Sequence, residues 1–309
     1  MEDFMEFDSV FSFRPEHTYD HKTIETILDN RRNLENELFF DRLLKVFQIN
    51  QAAHLYPPKS NHDLRVLHHG IVSSNFAEHH RQSLLYYLLL DCRASRNAAE
   101  EYAQRTFLPE KYVTYMRGLW HMDRMQFQTA LEWLTQPSLI PTFPEPILIT
   151  LVRHAPPNDL SLALAYYHTV APTISTSKSL EVLYSALCRT STTEAFYFAR
   201  AQSGQTRRHL LEQLIHAVLS SSRGEEGASK AVELINQPFT GEEEQWFEQY
   251  LTVGKGRNLS GAKDTVIMRR IGRGKFSELD DIKGPSGRKV DGVNWDTLKK
   301  GLMHGLSTT

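Results

Sequence analysis

The sequence predicts an all-α protein, an irregular α-solenoid of short antiparallel helical hairpins with a largely extended or disordered C-terminal tail. Between positions 20 and 251, apolar residues recur at three- and four-residue steps, which is the spacing of one face of an α-helix. No segment of the sequence alternates in the manner of a strand between hairpin turns. Most connections are short, so consecutive helices should pack antiparallel. A long row of short helices favours a solenoid over a four-helix bundle.

The sequence divides into three predicted parts: an acidic and aromatic arm at 1–19, a helical domain at 20–251 and a basic, glycine-rich tail at 252–309. Within the domain, helices are predicted at 21–30, 34–49, 62–73, 80–91, 95–107, 109–121, 124–135, 144–154, 159–170, 177–189, 192–202, 206–221, 227–236 and 241–251. Two start signals agree with these limits. Segments 191–194 and 240–243 are capping-box sequences, in which a hydroxyl and a carboxylate can accept hydrogen bonds from the first turn.

The N-terminal arm alternates acidic residues with Phe4, Phe7, Phe11, Phe13 and Tyr19. Three of these rings, at positions 4, 7 and 11, could share one face of a short helix. Two interpretations remain open. The arm could dock on the body of its own chain, or it could be a short aromatic motif that binds a partner.

Composition points to a soluble intracellular protein. Hydrophobic residues make up 40% and charged residues 23% of the 309 residues, which is ordinary for a globular chain. Cys92 and Cys188 lie in apolar helical contexts, which favours buried thiols in a reducing compartment over a disulfide. The acidic N-terminus is unlike a secretory signal, and the longest apolar run, 84–90, is far too short for a membrane span. We therefore expect no membrane insertion.

The net charge of −2 conceals an asymmetry between the domain and the tail. Residues 252–309 contain twelve Lys and Arg against six Asp and Glu, so the rest of the chain is acidic. Glycines and few large apolar residues predict that much of 252–292 is disordered when alone. Two islands, 264–271 and 293–298, keep apolar anchors, of which Trp295 is the largest. These islands could fold onto a partner or form an inert appendage.

The sequence predicts no catalytic, cofactor-binding or metal site, and hence no enzyme and no small-molecule substrate. Six histidines fall within 27 residues: His54, His62, His68, His69, His79 and His80. However, there is no HExxH motif and no pair of closely spaced cysteines, so we interpret them as a solvated polar face. Segment 256–263 superficially resembles a phosphate-binding loop, but alanine precedes its lysine and no strand precedes it. Asp123 and His121, two residues apart on a helix, point to different faces.

The stretch 112–146 predicts a helical hairpin closed by a proline-rich corner. Its first helix can start at Pro109, and a second apolar stripe follows from Phe127 to Leu134. Gly118 and Ala130 have the spacing of small residues where two helices of a hairpin touch. We expect Asp123 to cap the second helix. The prolines at positions 137, 141 and 144 then interrupt the regular structure.

This stretch also resembles the signature of the ELYS-type nuclear pore complex assembly domain, which makes up nearly the whole protein in its short fungal form. The resemblance is strongest at Tyr115, Gly118, Trp120, Asp123, Phe127, Ala130, Leu131, Leu134, Pro137, Ser138, Leu139, Ile140 and Pro141. The family implies a structural scaffold nucleoporin of the Y-shaped (outer ring) complex, which serves protein and mRNA transport. The implied location is the nucleus, at the nuclear pore complex of the nuclear envelope.

The resemblance also implies partners. They are two other nucleoporins of the Y complex: the long-arm propeller-plus-solenoid nucleoporin and the small β-propeller nucleoporin. We hypothesise that the chain docks through Met268, Arg269, Arg270, Ile271 and Trp295. The alternative is a chromatin- or DNA-binding adaptor that uses the cations of the tail, although the interleaved acidic residues predict weak, salt-sensitive contact.

Overall fold

The computed structural model describes residues 4–11, 19–49, 52–92, 97–156, 158–220 and 224–279, together with Gly301. All regular secondary structure within these residues is helical, which confirms the predicted all-α class. The chain divides into two compact units, residues 1–174 (unit 1) and 175–309 (unit 2). The arrangement of the hairpins into a solenoid stays a prediction.

Unit 1 contains eleven of the described helices. These are α1 (Phe7–Val10), α2 (His21–Asn33), α3 (Phe39–Val46), α4 (Ala52–Leu55), α5 (Asn61–Val72), α6 (Glu78–Leu90), α7 (Ala98–Arg105), α8 (Glu110–Asp123), α9 (Phe127–Leu134), α10 (Pro144–His154) and α11 (Ser161–Val170). Local capping sets two of the starts. The Asp20 carboxylate accepts a hydrogen bond from Thr23 N at 2.7 Å, and the Ser60 hydroxyl accepts one from Asp63 N at 3.1 Å.

Helix α8 lies at the centre of unit 1, where it packs against α9, α6 and α3. Helix α6 contains the longest apolar run of the sequence, and its residues 82–89 are all buried. A helix that is apolar on every side belongs inside a core, which explains this position. The stacked rings of Phe40 and Tyr87, 4.2 Å apart, join α3 to α6.

Unit 2 contains α12 (Ser177–Thr190), α13 (Thr192–Arg200), α14 (Gly204–Ser220), α15 (Glu225–Ile235), α16 (Gly241–Thr252) and α17 (Ala262–Gly272), with 3-10 turns at Lys255–Asn258 and Phe276–Leu279. Both predicted caps are present. Ser191 Oγ accepts from Glu194 N at 3.1 Å. Thr240 and Glu243 form a complete capping box, because Thr240 Oγ1 accepts from Glu243 N at 3.3 Å and Glu243 Oε2 accepts from Thr240 N at 2.8 Å.

The structure differs from the sequence-based expectation at residues 252–279, which were expected to lack a packed core. Helix α17 packs against α15 and α16. Its Val266 and Ile267 are buried, and so is Leu279 in the following turn. A buried arginine, Arg269, adds polar contacts to α16 and to the segment after α15, which an apolar count does not register. Residues 280–300 and 302–309 lie outside the described residues.

Candidate functional site

The predicted signature stretch forms the α8–α9 hairpin of unit 1. Helix α8 begins directly after Pro109, as the sequence predicts. A Cβ placed on Gly118 would lie 2.5 Å from both Cγ and Cδ2 of Leu134, so the two helices could not approach so closely with a larger residue. Ala130 is buried on α9 as expected, but Leu134 is the residue that lies against Gly118. The predicted close approach of the two helices at Gly118 is therefore confirmed, but the residue opposite Gly118 is Leu134 and not Ala130.

Asp123 ends α8 and caps a helix that is distant in sequence. Its Oδ1 accepts a hydrogen bond from Phe39 N at 2.6 Å. Its Oδ2 accepts from Phe40 N at 2.9 Å and from Tyr87 Oη at 2.7 Å. Phe39 and Phe40 begin α3, where backbone N–H groups have no acceptor within the helix. The expectation that Asp123 caps the second helix of its own hairpin is therefore wrong, because its carboxylate is turned towards α3.

Burial controls the ionisation of this carboxyl group. The Asp123 side chain is almost completely buried, and burial raises its pKa from 3.8 to about 7, although the hydrogen bonds from Tyr87, Phe39 and Phe40 oppose the shift. Burial, followed by the charge of Asp123, also raises the pKa of Tyr87 well above its usual value, so this phenol stays a proton donor. Asp123 can therefore change protonation near neutral pH while Tyr87 does not.

A second buried aspartate joins three other elements of unit 1. Asp91, at the end of α6, accepts through Oδ2 from Tyr19 Oη and Tyr56 Oη, each at 2.8 Å. Its Oδ1 accepts from Trp120 Nε1 and Arg124 Nη2, also at 2.8 Å. Trp120 and Arg124 lie one helical turn apart, and the guanidinium stacks 4.0 Å from the indole ring. The signature tryptophan thus acts as a hydrogen-bond donor as well as a packing residue.

A buried ion pair completes the cluster. Arg31 Nε and Nη2 donate to the two carboxylate oxygens of Asp41, each at 2.8 Å. Arg31 Nη2 also donates to the carbonyl oxygen of Tyr56 at 2.6 Å, and Asp41 Oδ2 accepts from Leu38 N at 2.9 Å. This bidentate geometry is the strong form of a charge-assisted hydrogen bond. It fixes the start of α3, the same helix end that Asp123 caps.

We call Asp41, Asp91 and Asp123 the aspartate network. Every carboxylate oxygen of the three residues accepts at least one hydrogen bond from the protein. Buried polar groups whose hydrogen bonds are all made rigidify the elements that supply the donors. The network therefore links α3, α6 and α8 of unit 1.

The remaining signature residues lie around the proline-rich corner. Tyr115 Oη accepts a hydrogen bond from Thr142 N at 3.1 Å, which ties the corner to α8. Burial raises the pKa of Tyr115 to about 12. The half-buried Phe127 ring lies 5.5 Å from that of His154 on α10. These contacts explain Tyr115 and Phe127 of the signature as structural residues.

Three signature positions at the corner face solvent. Pro137 and Ser138 are exposed, and Ile140 is 95% exposed although its side chain is fully apolar. Pro141 is half-buried, and the helix α10 starts at Pro144. Packing within unit 1 explains the buried part of the signature but not Ile140.

The predicted docking residues of the tail occupy different environments in unit 2. Arg269 is 3% exposed, and its Nη2 lies 2.6 Å from Glu244 Oε2. It also donates to the carbonyl oxygen of Gln237 at 2.8 Å. Since these donors are used inside the unit, Arg269 holds α17 in place, and its role at a docking surface stays a prediction. Arg270 pairs with Glu248 on α16.

The other predicted docking residues divide into exposed, half-buried and undescribed positions. Met268 is 51% exposed, and Ile271 is half-buried. Trp295 lies outside the described residues. A groove of about 610 Å³ runs beside Met268 between the end of α14, α15 and α17. Its apolar walls include Val218, Ala228, Ala231, Val232, Leu259 and Met268. Met268 therefore offers a large apolar side chain at an open groove.

The histidine-rich region does not behave uniformly. His54, His62, His69 and His79 are exposed, in agreement with a solvated polar face. His68 differs, since it is buried beneath the N-terminal arm. Among the residues that the structure describes, no three His, Cys, Asp or Glu side chains are grouped in a way that could hold a metal ion.

Sequence reasoning missed Asp41 and Asp91 as structural centres. Asp91 follows directly on the apolar run of α6, so a lone acid at the end of a buried helix was the available signal. Asp41 occupies the third position of α3, where an acidic residue often returns a hydrogen bond to the N-cap. Neither pattern indicates which distant donors would be brought to the carboxylate.

These features define a large all-helical domain in which buried aspartates fix helix ends that are remote in sequence. The chain belongs to the ELYS family, whose model, described as nuclear pore complex assembly, matches residues 37–254. A curated relative from Schizosaccharomyces pombe, called uncharacterized protein ely5, is 30% identical over 227 residues. That match covers 72% of this chain and 73% of the relative.

Family membership confirms the resemblance that the stretch 112–146 indicates. It also locates the protein in the nucleus, at the nuclear pore complex. The matched range begins just before α3 and ends just after α16, so it includes the whole aspartate network and most of unit 2. None of the helices that the structure describes is both long and apolar enough to cross a membrane.

Proposed function

We propose that this protein is a structural scaffold subunit of the Y-shaped complex of the nuclear pore. The observation that carries the proposal is the match of a nuclear pore complex assembly domain to residues 37–254. The aspartate network supports a structural role, because these buried titratable groups are engaged in fixing helix ends. We infer that the chain works by presenting helical surfaces to other proteins and not by catalysis.

The proposed partners are two nucleoporins of the Y complex: the long-arm propeller-plus-solenoid subunit and the small β-propeller subunit. Docking would use the open groove beside Met268, together with the segment that contains Trp295. Met268 supports this choice, since an exposed, flexible thioether beside an apolar groove is a suitable contact for another protein. Arg269 would contribute indirectly by holding α17, and thus Met268, in position.

Co-purification of the full-length protein with both partners tests this proposal. Removal of 252–309 would be a poor test, because it deletes α17 and the buried residues that pack on α15 and α16. A chain that ends at Leu279 removes Trp295 and keeps α17, while Met268→Asp places a charge at the groove. We expect both changes to reduce recovery of the partners.

Val253→Asp is the matched control, because Val253 is an apolar residue of the same unit that is 73% exposed and does not line the groove. It should leave recovery unchanged. Undiminished recovery with both Met268→Asp and the chain that ends at Leu279 would contradict docking through this surface. Failure of the wild-type chain to recover either nucleoporin would contradict the proposed complex itself.

Weak contact with DNA or chromatin is the alternative role of the tail. The described arginines of α17 and the following turn do not favour it. Arg269 and Arg273 pair with Glu244, and Arg270 pairs with Glu248, so their charges are largely balanced within unit 2. An electrophoretic titration with duplex DNA at low and physiological salt would detect such contact.

A further inference from the structure

The described part of the N-terminal arm packs on the rest of unit 1 (the body) through its phenylalanines. Phe4, Phe7 and Phe11 are each at most 9% exposed. The Phe7 ring meets the ring of His68 on α5 edge-on, with centroids 5.5 Å apart, and the Phe11 ring meets it at 6.2 Å. His68 Nε2 also lies 3.2 Å from the carbonyl oxygen of Phe4. Burial lowers the pKa of His68, so the imidazole is neutral at neutral pH.

Basic side chains of the body complement the acidic arm. The Arg65 guanidinium lies 4.0 Å from the Phe7 ring centroid and pairs with Asp8 at 2.7 Å. The Arg81 guanidinium lies 5.3 Å from the Phe4 ring centroid. A cation above an aromatic face is an attractive arrangement in its own right. The body therefore recognises both the rings and the negative charge of the arm.

A third arginine, Arg105 on α7, donates to the carbonyl oxygen of Ser9 at 3.2 Å. We call the surface formed by Arg65, His68, Arg81 and Arg105 the arm groove. The sequence of the arm from 2 to 8 contains four acidic residues and no basic residue. Of the described acidic residues, Asp8 pairs with Arg65, so a negative charge of the arm meets a positive charge of the arm groove.

The arm resembles a tethered ligand more than a helix of the bundle. Its backbone-to-backbone hydrogen bonds close within the arm, from Ser9 and Val10 to Glu6 and from Phe11 to Phe7. The body contacts its carbonyl oxygens through the side chains of His68 and Arg105. Helix α1 has only four residues. Burial of three rings and the ordering of a short chain segment are opposing terms of similar size. Much of its occupancy should therefore come from the high effective concentration that covalent attachment provides.

We propose that the arm groove is a binding site for an acidic, phenylalanine-bearing peptide of a partner protein, and that the chain's own arm occupies it in the free protein. The arm shows what fits: rings at positions i, i+3 and i+7, with a carboxylate at i+4. A partner segment of this pattern takes the place of the arm. This inference concerns a surface of unit 1 and stands apart from the docking groove of unit 2.

Fluorescence anisotropy with a fluorescein-labelled peptide of residues 1–14 tests the proposal on the full-length protein. Wild type should bind the probe weakly but saturably, because its own arm competes. The double variant Phe7→Ala/Phe11→Ala weakens that arm, and it should bind the same probe at least ten-fold more tightly. Absence of saturable binding to both proteins would overturn the proposal.

A charge exchange separates recognition from a general effect on folding. Arg65→Asp, added to the double variant, should weaken binding of the probe at least ten-fold, and a probe that carries Asp8→Arg should recover most of the loss. Lys263→Asp, an exposed cation of unit 2, is the matched control and should change nothing. Equal binding before and after Arg65→Asp would overturn the proposal.

Sedimentation velocity of the wild-type chain distinguishes a second copy from a partner peptide. If the wild-type chain dimerises in a manner that Phe7→Ala/Phe11→Ala abolishes, the occupant is the arm of a second copy and the proposal is overturned. A monomer that binds the probe supports it. Wild type needs no substitution, so its result is decisive even if a variant folds poorly.

Discussion

In unit 1 the buried polar contacts converge on three aspartates, whereas in unit 2 they run mainly between arginine and glutamate side chains. Asp91 and Asp123 accept most of their hydrogen bonds from backbone N–H groups, phenols and an indole. By contrast, Glu244 pairs with Arg269 and Glu243 with Arg200. Asp123 is almost fully buried, while the side chain of Arg200 is about one quarter exposed.

This difference predicts which substitutions should destabilise each unit most. A buried carboxylate that serves several neutral donors cannot be removed without leaving those donors unsatisfied. In an arginine–glutamate pair both partners carry a charge, so removal of one partner chiefly leaves the charge of the other without its main partner. Unit 1 should thus be most sensitive to loss of an acceptor, and unit 2 to loss of a cation. Trp120 and Trp246 provide a spectroscopic probe in each unit when they carry a fluorine label.

The largest expected effect is that of Asp123→Ala. This change leaves Phe39 N, Phe40 N and Tyr87 Oη without their acceptor in a buried site. We expect the free energy of unfolding of unit 1 to fall by about 4 kcal/mol. Urea denaturation followed at Trp120 measures it.

Asp29→Ala is the control for that experiment, since Asp29 is half exposed and pairs only with its neighbour Arg32 on the surface. It should change the free energy of unfolding by less than about 0.5 kcal/mol. If Asp123→Ala were as mild as Asp29→Ala, the capping of α3 would contribute little and the contrast between the units would not hold.

The next effect in size is that of Arg269→Met in unit 2. The change leaves the largely buried Glu244 without its bidentate partner and removes donors to the carbonyl oxygens of Ile235 and Gln237. We expect a loss of about 3 kcal/mol, measured by urea denaturation followed at Trp246. Arg269→Met/Glu244→Gln should recover part of it, because the unpaired charge is then absent. Independent, additive effects of the two substitutions would argue against a coupled pair.

Gly118→Ala should have a smaller effect. The added Cβ would lie 2.5 Å from two atoms of Leu134, so the α8–α9 hairpin must open slightly. We expect a loss of about 2 kcal/mol in unit 1. Gly118→Ala/Leu134→Ala should relieve the clash, although Leu134→Ala alone creates a cavity. If the double variant lost more free energy of unfolding than the two single variants lose together, a direct clash between Gly118→Ala and Leu134 would be contradicted.

The last predicted difference is one of pH dependence, and the contributions of the buried carboxyl groups have opposite signs in the two units. Burial raises the pKa of Asp123 to about 7, so this carboxyl group binds more protons in folded unit 1 than in the unfolded chain between about pH 4 and 7. The contribution of Asp123 to the free energy of unfolding should therefore fall as pH rises through that window. Burial lowers the pKa of His68, His121 and His154, and these groups contribute with the opposite sign. The contribution of Asp123 is therefore measured as the difference between wild type and Asp123→Asn in urea titrations at several pH values.

Unit 2 should respond in the other direction. Burial alone raises the pKa of Glu244, but Arg269 and Arg273 lower it below its ordinary value of 4.5. Burial alone also raises the pKa of Glu243, but Arg200 and the hydrogen bond from Thr240 N lower it. A lowered pKa gives stability that is present above about pH 4.5 and is lost as pH falls below it. If the free energies of unfolding measured at Trp120 and at Trp246 changed with pH in the same direction, this predicted difference between the units would be wrong.

The sequence predicts the helices well because their formation depends on local spacing and caps. The pairs of apolar residues in 206–221 place α14, and the N-caps at Ser191 and Thr240 mark the starts of α13 and α16. The tight contact at Gly118 follows from a small residue within an amphipathic helix. Each of these signals lies within one or two turns of the chain.

The aspartate network could not be predicted in the same way. Asp123 and Phe39, whose N–H has no acceptor within its own helix, are 84 residues apart. Nothing in the sequence near Asp123 indicates that the start of α3 lies against it. Likewise, Arg269 reads as an exposed docking cation because its partner Glu244 is 25 residues away on another helix. Long-range pairing of polar groups depends on tertiary packing, which local spacing does not encode.

Native-state hydrogen exchange at the amides of Phe39 and Phe40 tests the contrast most directly. The structure predicts that both amides are strongly protected in the wild-type chain, and that Asp123→Ala removes this protection while the amides of α17 keep theirs. Unchanged protection of Phe39 and Phe40 in Asp123→Ala, or equal loss of protection in α17, would contradict the account.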